Sequence, residues 1–414
     1  MVPTLPMDVV AICQRCGVDP EVLLDFPWRI RFARPIGRAI EVHTHEGIYY
    51  LKKVNYPHSR LYQVYEAVER LAADGLAVSR FVRNRFAEPY ILHESGNYYA
   101  VIGIDGHPPD LDDEKWFVFT AQQMGKWHAH AKAPQGVLLS YDRLDVVGSW
   151  RKGQSRLENY RERALSVSDV SEFDEAFLMV RDELDAQITK AMHALVLSDF
   201  AMLCKEAYQE GTLCHGSFVR RNLLIHDQTL AILDHDHMFQ GPQVLDLATF
   251  LHRYAAQQRW DAAFLLQVLQ AYESQRPFRE GEWDLLRVLL LYPFGVMQVI
   301  DERFAQNSPV ADELYLDRLE EQWEWNLMKM ACIQMIWGDM DDSAWQDHTD
   351  ERMFAQPSVA HASLRVDPKA PGGSLQPDVQ ITQQSTQRRP SSAPKRQLKT
   401  PTVRPSLPPG LWRP

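Results

Sequence analysis

The spacing of apolar residues changes once along this chain, near residue 105, and that change limits the folds open to it. Before it, apolar side chains alternate in short runs. In residues 38–45, Ile40, Val42 and Thr44 share one side, and in residues 48–55, Ile48, Tyr50, Lys52 and Val54 share a side. Such period-two patterns, joined through Glu46-Gly47, predict a β-hairpin. Residues 60–73 then read as a helix ended by Asp74-Gly75, and 89–93 and 98–104 as two more strands around a turn at 94–97. Ahead of them, residues 7–30 read as two short helices, the second opened by Asp19 as cap with Pro20 in the first helical position.

Beyond residue 105 the apolar step becomes three and four. Residues 115–131, 171–195, 199–210, 245–256, 261–273, 281–304 and 311–337 are expected as helices. The class is therefore α+β, with a small antiparallel β lobe over residues 1–104 and a larger helical lobe over 105–345. Residues 356–414 fit neither pattern. They hold 11 of the chain's 25 prolines, with nine basic and two acidic residues, so this tail carries +7 and the rest −18. It is expected to be disordered. Arg388-Arg389 and Lys395-Arg396 make it an arm for an acidic partner, or else a plain solvated extension.

Charge and cysteine content exclude further classes. A net charge of −11 argues against a dedicated nucleic-acid binder, whose contact face is normally basic. Five scattered cysteines read as free thiols of a reducing compartment, with no disulfide framework. The N-terminus lacks a basic segment followed by an apolar run, so a cytoplasmic site of synthesis is expected. The apolar stretch at 285–300 is interrupted by Arg287 and Pro293 and is too short for a membrane span.

The chemistry concentrates in one β interruption of the helical part. Residues 222–226, an Asp227-Gln228 turn and residues 229–234 read as a tight hairpin. If His226 faces Thr229, Asn222 lies opposite Leu233, one step from Asp234. A side-chain carbonyl beside a carboxylate suits an oxygen-ligated cation such as magnesium. Asp236, two residues on, would share the side of Asp234 if the strand continues, as a second ligand or a base. The histidines 215, 226, 235, 237 and 252 supply too few placed ligands for zinc, and Cys13-x-x-Cys16 has no matching pair. Trp323, Trp325, Met328 and Met330 have helical spacing and read as core.

These segments carry a resemblance. His215-Gly216-Ser217 with Asn222 five residues on, followed by Ile232-Leu233-Asp234-His235-Asp236, resembles the catalytic and metal-binding segments of the aminoglycoside-phosphotransferase and choline-kinase-like superfamily. Gly241 to Leu251, with Asp246-Leu247-Ala248, Tyr50-Leu51-Lys52, and Gly125-Lys126-Trp127-His128 resemble further segments of it. Within that superfamily the chain is most similar to the CotS-type spore-coat proteins, over about residues 7–340. The resemblance implies a two-lobed protein-kinase-like fold that takes ATP and Mg²⁺. It implies that Lys52 holds the α/β-phosphates and pairs with Glu66 or Glu69 on the next helix. Ile104, in the segment linking the lobes, would meet the adenine through its backbone. Asn222 and Asp234 would bind magnesium, Asp246 would brace the loop, and Arg220 and Arg221 would contact a substrate or phosphate.

One position departs from that pattern. The superfamily's loop usually reads His-Gly-Asp, whose Asp accepts the proton of the attacking hydroxyl, and this chain has Ser217. A serine hydroxyl is no general base near neutral pH. Asp236 and His215 are the candidate substitutes, although His215 reads first as bracing the loop. The glycine-rich cover over the phosphates is reduced to Gly37. Three readings follow: a degenerate kinase-like scaffold of the spore coat with coat proteins as partners, an active kinase of a small hydroxyl- or amine-bearing acceptor, and an interaction protein that binds no nucleotide. The acidic folded part points to a cationic acceptor.

Overall fold

The computed structural model describes residues 5–338, apart from 134–143, 169, 227, 259 and 306–311. The tail from 356, Asp227 of the hairpin turn, the expected helix start at Ala311 and the end of the helical lobe at 345 lie outside those residues.

Two short helices, α1 (Met7–Arg15) and α2 (Glu21–Leu24), lead into five strands and one helix. Asp19 Oδ1 accepts the Glu21 N–H at 3.0 Å, and Pro20 is already helical. The strands are β1 (Ile30–Ile36), β2 (Ala39–Thr44), β3 (Ile48–Val54), β4 (Ile91–His93) and β5 (Gly96–Ile102), with α3 (His58–Ala73) between β3 and β4. They form one antiparallel sheet in the order β1-β2-β3-β5-β4. On one face Ile40, Val42, Leu51, Tyr98 and Ala100 pack with Val9 and Cys13 of α1 and with Val22 and Leu23 of α2. Alternation turns Lys52 and its register partner Tyr99 to the opposite face.

Strand β1 is a correction to the sequence reading, which began the sheet at residue 38. It is an edge strand with only Ala33 buried, so Arg31, Arg34 and Pro35 break the alternation that would have marked it.

The second lobe runs α4 (Glu114–His130), α5 (Val146–Ser166), α6 (Glu172–Leu197), α7 (Phe200–Glu210), β6 (Leu213–Cys214), β7 (Leu223–His226), β8 (Thr229–Ile232), β9 (Phe239–Gln240), α8 (Val244–Tyr254), α9 (Ala262–Glu273), α10 (Glu282–Leu290), α11 (Phe294–Ala305) and α12 (Asp312–Trp337). Helix α5 escaped the sequence reading because only Trp150, Gly153, Leu157 and Ala164 are buried among many charges. The helix expected over 281–304 is two, α10 and α11, because Pro293 removes a donor and clashes with the preceding turn. Its apolar span, Glu282–Ala305, is long enough to cross a membrane by length and composition, yet 67% of its most apolar 18-residue window is buried within the protein. In the Trp/Met run, Trp323 is core, but Met328 is exposed.

The hairpin has the expected register: His226 faces Thr229, Leu223 faces Ile232, and Leu233 N–H donates to Asn222 O at 2.8 Å. It is stitched to the first lobe through Ile232 N–H to Ala77 O at 2.9 Å. It also meets the linking segment, where Ile225 N–H donates to His107 O at 2.8 Å.

Helix α4 lies against α9 at Gly125, where a Cβ would stand 2.4 Å from Tyr272 O. Backbone cannot yield as a flexible side chain can. Gly125→Ala is therefore expected to lower stability by about 1–3 kcal/mol in urea unfolding. An unchanged midpoint would show that the helices separate freely there.

Candidate active site

Lys52 stands in the middle of β3, facing away from the sheet's core. Its Nζ donates to Asp234 Oδ1 at 2.5 Å and to Asp236 Oδ2 at 3.1 Å. Burial disfavours the ammonium, but the two carboxylates outweigh it and raise the Lys52 pKa. Burial would also raise the Asp234 pKa. Lys52 reverses this and holds the carboxyl below the usual range, so Asp234 is an anion.

Asp236 is held on every side. Its Oδ1 accepts the hydroxyls of Tyr56 at 2.7 Å and Tyr99 at 2.6 Å, and Arg60 donates to its backbone oxygen at 2.9 Å. Burial and the adjacent carboxylate push both phenols up, which keeps them donors.

The route to this arrangement differs from the sequence reading. Strand β8 stops at Ile232, Asp234 turns into the left-handed region at φ 62°, and His235–His237 forms one 3₁₀ turn. Asp234 and Asp236 therefore do not share a strand face. Asp236 is also no base, since Lys52, Tyr56 and Tyr99 occupy its oxygens.

Nor does α3 supply Lys52 with a partner. Glu66 lies about 200° around the helix from the buried Val64 and Val68 and sits beside Tyr62. Glu69 is bonded to Arg80, at 2.5 Å for the shorter contact. Tyr56, Arg60 and Tyr99 were missed because a lone aromatic or arginine has no sequence signature for such a contact. The Lys52–Tyr99 register was the one available hint.

The loop before β7 is organised by Asp246 in the first turn of α8. Its Oδ2 accepts His215 N–H at 2.5 Å, and its Oδ1 accepts Gly216 N–H at 2.9 Å. The Nε2 of His128 on α4 lies 3.2 Å from Oδ2, and His128 Nδ1 lies 2.8 Å from the Tyr272 hydroxyl. Burial would raise the Asp246 pKa, but the His128 bond and the loop N–H groups lower it below the usual carboxylate range. Gly216 adopts φ 72°, a conformation that costs a side-chain-bearing residue energy. His128 as an anchor of this bond set was missed, although Gly125-Lys126-Trp127-His128 had been singled out.

His215 braces the loop, as expected. Its Nε2 donates to Leu233 O at 3.0 Å, and its Nδ1 accepts the Ser217 N–H at 3.3 Å. Those two bonds fix the neutral tautomer, and burial lowers the ring's pKa. With both nitrogens engaged, His215 is not a free base either.

Ser217 stands where a base is expected. Asn222 Nδ2 donates to Ser217 O at 2.9 Å and to Ser217 Oγ at 3.1 Å, which aims Asn222 Oδ1 elsewhere. Among the described residues that Oδ1 has no hydrogen-bond donor, and neither does Asp234 Oδ2. Asn222 Oδ1 and Asp234 Oδ2, oxygens of hard type at the open end of the hairpin, are the atoms that would hold a magnesium ion, which would supply charge neutralisation there. Lys52 fits phosphate, and Ile104 N–H makes no backbone hydrogen bond among the described residues. Arg220 is tied by its Nε to Pro109 O at 3.0 Å, and Arg221 is exposed.

A sheet lobe carrying a lysine, a helical lobe carrying an Asn and Asp hairpin, and a buried Asp bracing the loop define the kinase-like phosphotransferase fold. The fold aligns with a crystal structure of an aminoglycoside phosphotransferase from Alicyclobacillus acidocaldarius at TM-score 0.65 and 18% identity, covering 81% of this chain and 96% of the other. It also aligns with AMP-bound spectinomycin phosphotransferase at TM-score 0.52 and 13% identity, covering 79% and 99%. Residues 29–335 match the family described as "Spore coat putative kinase YutH", and the chain belongs to that family. Spore coat protein S of Bacillus subtilis (strain 168) is 23% identical over 336 residues, 76% of this chain and 90% of that protein.

Proposed function

We propose that this is a spore-coat protein that binds magnesium nucleotide between its lobes and whose phosphotransfer is crippled by the missing base. The observation that carries the reading is the pairing of retained ligands with a lost base. Lys52, Asn222 and Asp234 keep the atoms that phosphate and magnesium need, while Ser217 cannot take a proton and both substitutes, Asp236 and His215, are tied down. Bound there, magnesium would neutralise charge on the nucleotide phosphates. The chain's own contribution is positioning: Asp246 holds the loop and Asn222 holds Ser217. Loss of a base costs ~10²–10⁴ in rate, so slow transfer to a small hydroxyl- or amine-bearing acceptor is the second reading, favoured by the same retained ligands. In the coat the fold would serve mainly as a scaffold for other coat proteins, with the basic tail offered to an acidic partner.

Thermal unfolding with MgATP and MgADP tests this. A nucleotide at 100 times its Kd stabilises the fold by ~2.7 kcal/mol. The expected result is a magnesium-dependent rise in Tm that disappears in Asp234→Asn. No rise at millimolar nucleotide would remove the nucleotide reading and leave a scaffold that uses only the fold's shape.

A further inference from the structure

The loop between Ser217 and Asn222 also forms one wall of a cavity of about 400 Å³. It is lined by Pro108, Val219, Arg220, Arg221, Arg253 and Tyr254. Three of these six side chains are cationic and none is acidic, in a chain whose first 355 residues carry −18. Arg220 is pinned in place by its bond to Pro109 O, and its N–H donates to the Tyr254 hydroxyl at 2.9 Å. That bond uses the Tyr254 oxygen as acceptor and leaves its proton to donate. Among the described residues, Arg221 and Arg253 have no carboxylate partner; Arg253 instead lies over the Phe294 ring, 5.7 Å from its centroid. The charged lining side chains, all arginines, thus offer only donors.

From this geometry we infer that the cavity is the binding site for an oxyanion-bearing small molecule, a phosphate ester or a carboxylate. The volume suits a sugar phosphate or small dicarboxylate, within the range of about 300–1,000 Å³ of ligand pockets. Guanidinium groups match both oxyanions through paired N–H donors. Net charge had pointed to a cationic acceptor, but the field in a cleft is set by the charges that line it. The inference rests on the kinase-like reading only for the ligand's role as acceptor, not for its binding.

Equilibrium dialysis of the full chain without nucleotide tests it, with glucose 6-phosphate, succinate and unphosphorylated glucose as probes. Glucose 6-phosphate or succinate is expected to bind and glucose not to. Arg221→Gln/Arg253→Gln is expected to weaken that binding at least tenfold, with an unchanged urea midpoint because both side chains are exposed. Arg279→Gln, at a remote pair with Glu210, is expected to change nothing. The phosphate and succinate arms identify which oxyanion is taken. Absence of binding by both, or equal binding by the parent and the double variant, would overturn the inference. Arginine-dependent binding without any MgATP shift would retain the pocket and remove only the nucleotide reading.

Discussion

Ser217→Asp, assayed for MgATP-dependent phosphotransfer to water and to a panel of hydroxyl- and amine-bearing acceptors, is expected to turn over at least tenfold faster than the parent. The backbone at this position is already fixed. Ser217 N–H is bonded to His215 Nδ1, and its carbonyl accepts from Asn222 Nδ2 and from Val219 N–H at 2.9 Å. An aspartate introduced there places its Cγ where the hydroxyl oxygen now stands, 3.1 Å from Asn222 Nδ2, and carries its two carboxylate oxygens one bond further out from the loop. A positioned general base contributes ~10²–10⁴, and tenfold is a conservative share for one that the surroundings have not been tuned to receive. Nucleotide affinity measured alongside separates the outcomes. Affinity retained without a gain in rate would mean that loop geometry, and not only the base, has been lost.

The fold was legible because both lobes advertise themselves by period. Ile40, Val42 and Thr44 alternate on one buried side of β2, and the buried faces of α4, α6 and α9 recur at helical steps. What escaped was whatever buries little: β1 with Ala33 alone, and α5 with four buried residues in 21. The hairpin register and the placement of Asn222 followed from local turn geometry, which reads directly from sequence. The partners of Lys52 did not. They depend on the left-handed turn at Asp234, which a non-glycine residue adopts only because the surroundings hold it there. A helix step places Glu66 and Glu69 on α3, but only packing decides which face of α3 meets β3. Long-range polar contacts such as Tyr56 and Tyr99 to Asp236 join residues more than 130 positions apart, where no local pattern exists.

Asp246→Ala is expected to cost about 3–5 kcal/mol of stability at neutral pH, measured by urea unfolding. The carboxylate receives two backbone N–H groups in a site closed to water, and hydrogen bonds to a charged acceptor are worth about 1.5–3 kcal/mol each. Truncation leaves the N–H groups of His215 and Gly216, and Nε2 of His128, facing a void. Asp246→Asn is expected to fall between, because its single amide oxygen can accept from only one of the two loop N–H groups, while its NH₂ opposes the other donor. The pH dependence has a definite sign. The folded-state pKa of Asp246 is depressed, so its contribution is present above its unfolded pKa and is lost as pH falls through the lower folded value. The gap between parent and Asp246→Ala is therefore expected to be widest near neutrality and to narrow under acid conditions. A gap that stays constant as pH falls, or a cost below about 1 kcal/mol, would show that the loop is held by the hairpin and not by this carboxylate.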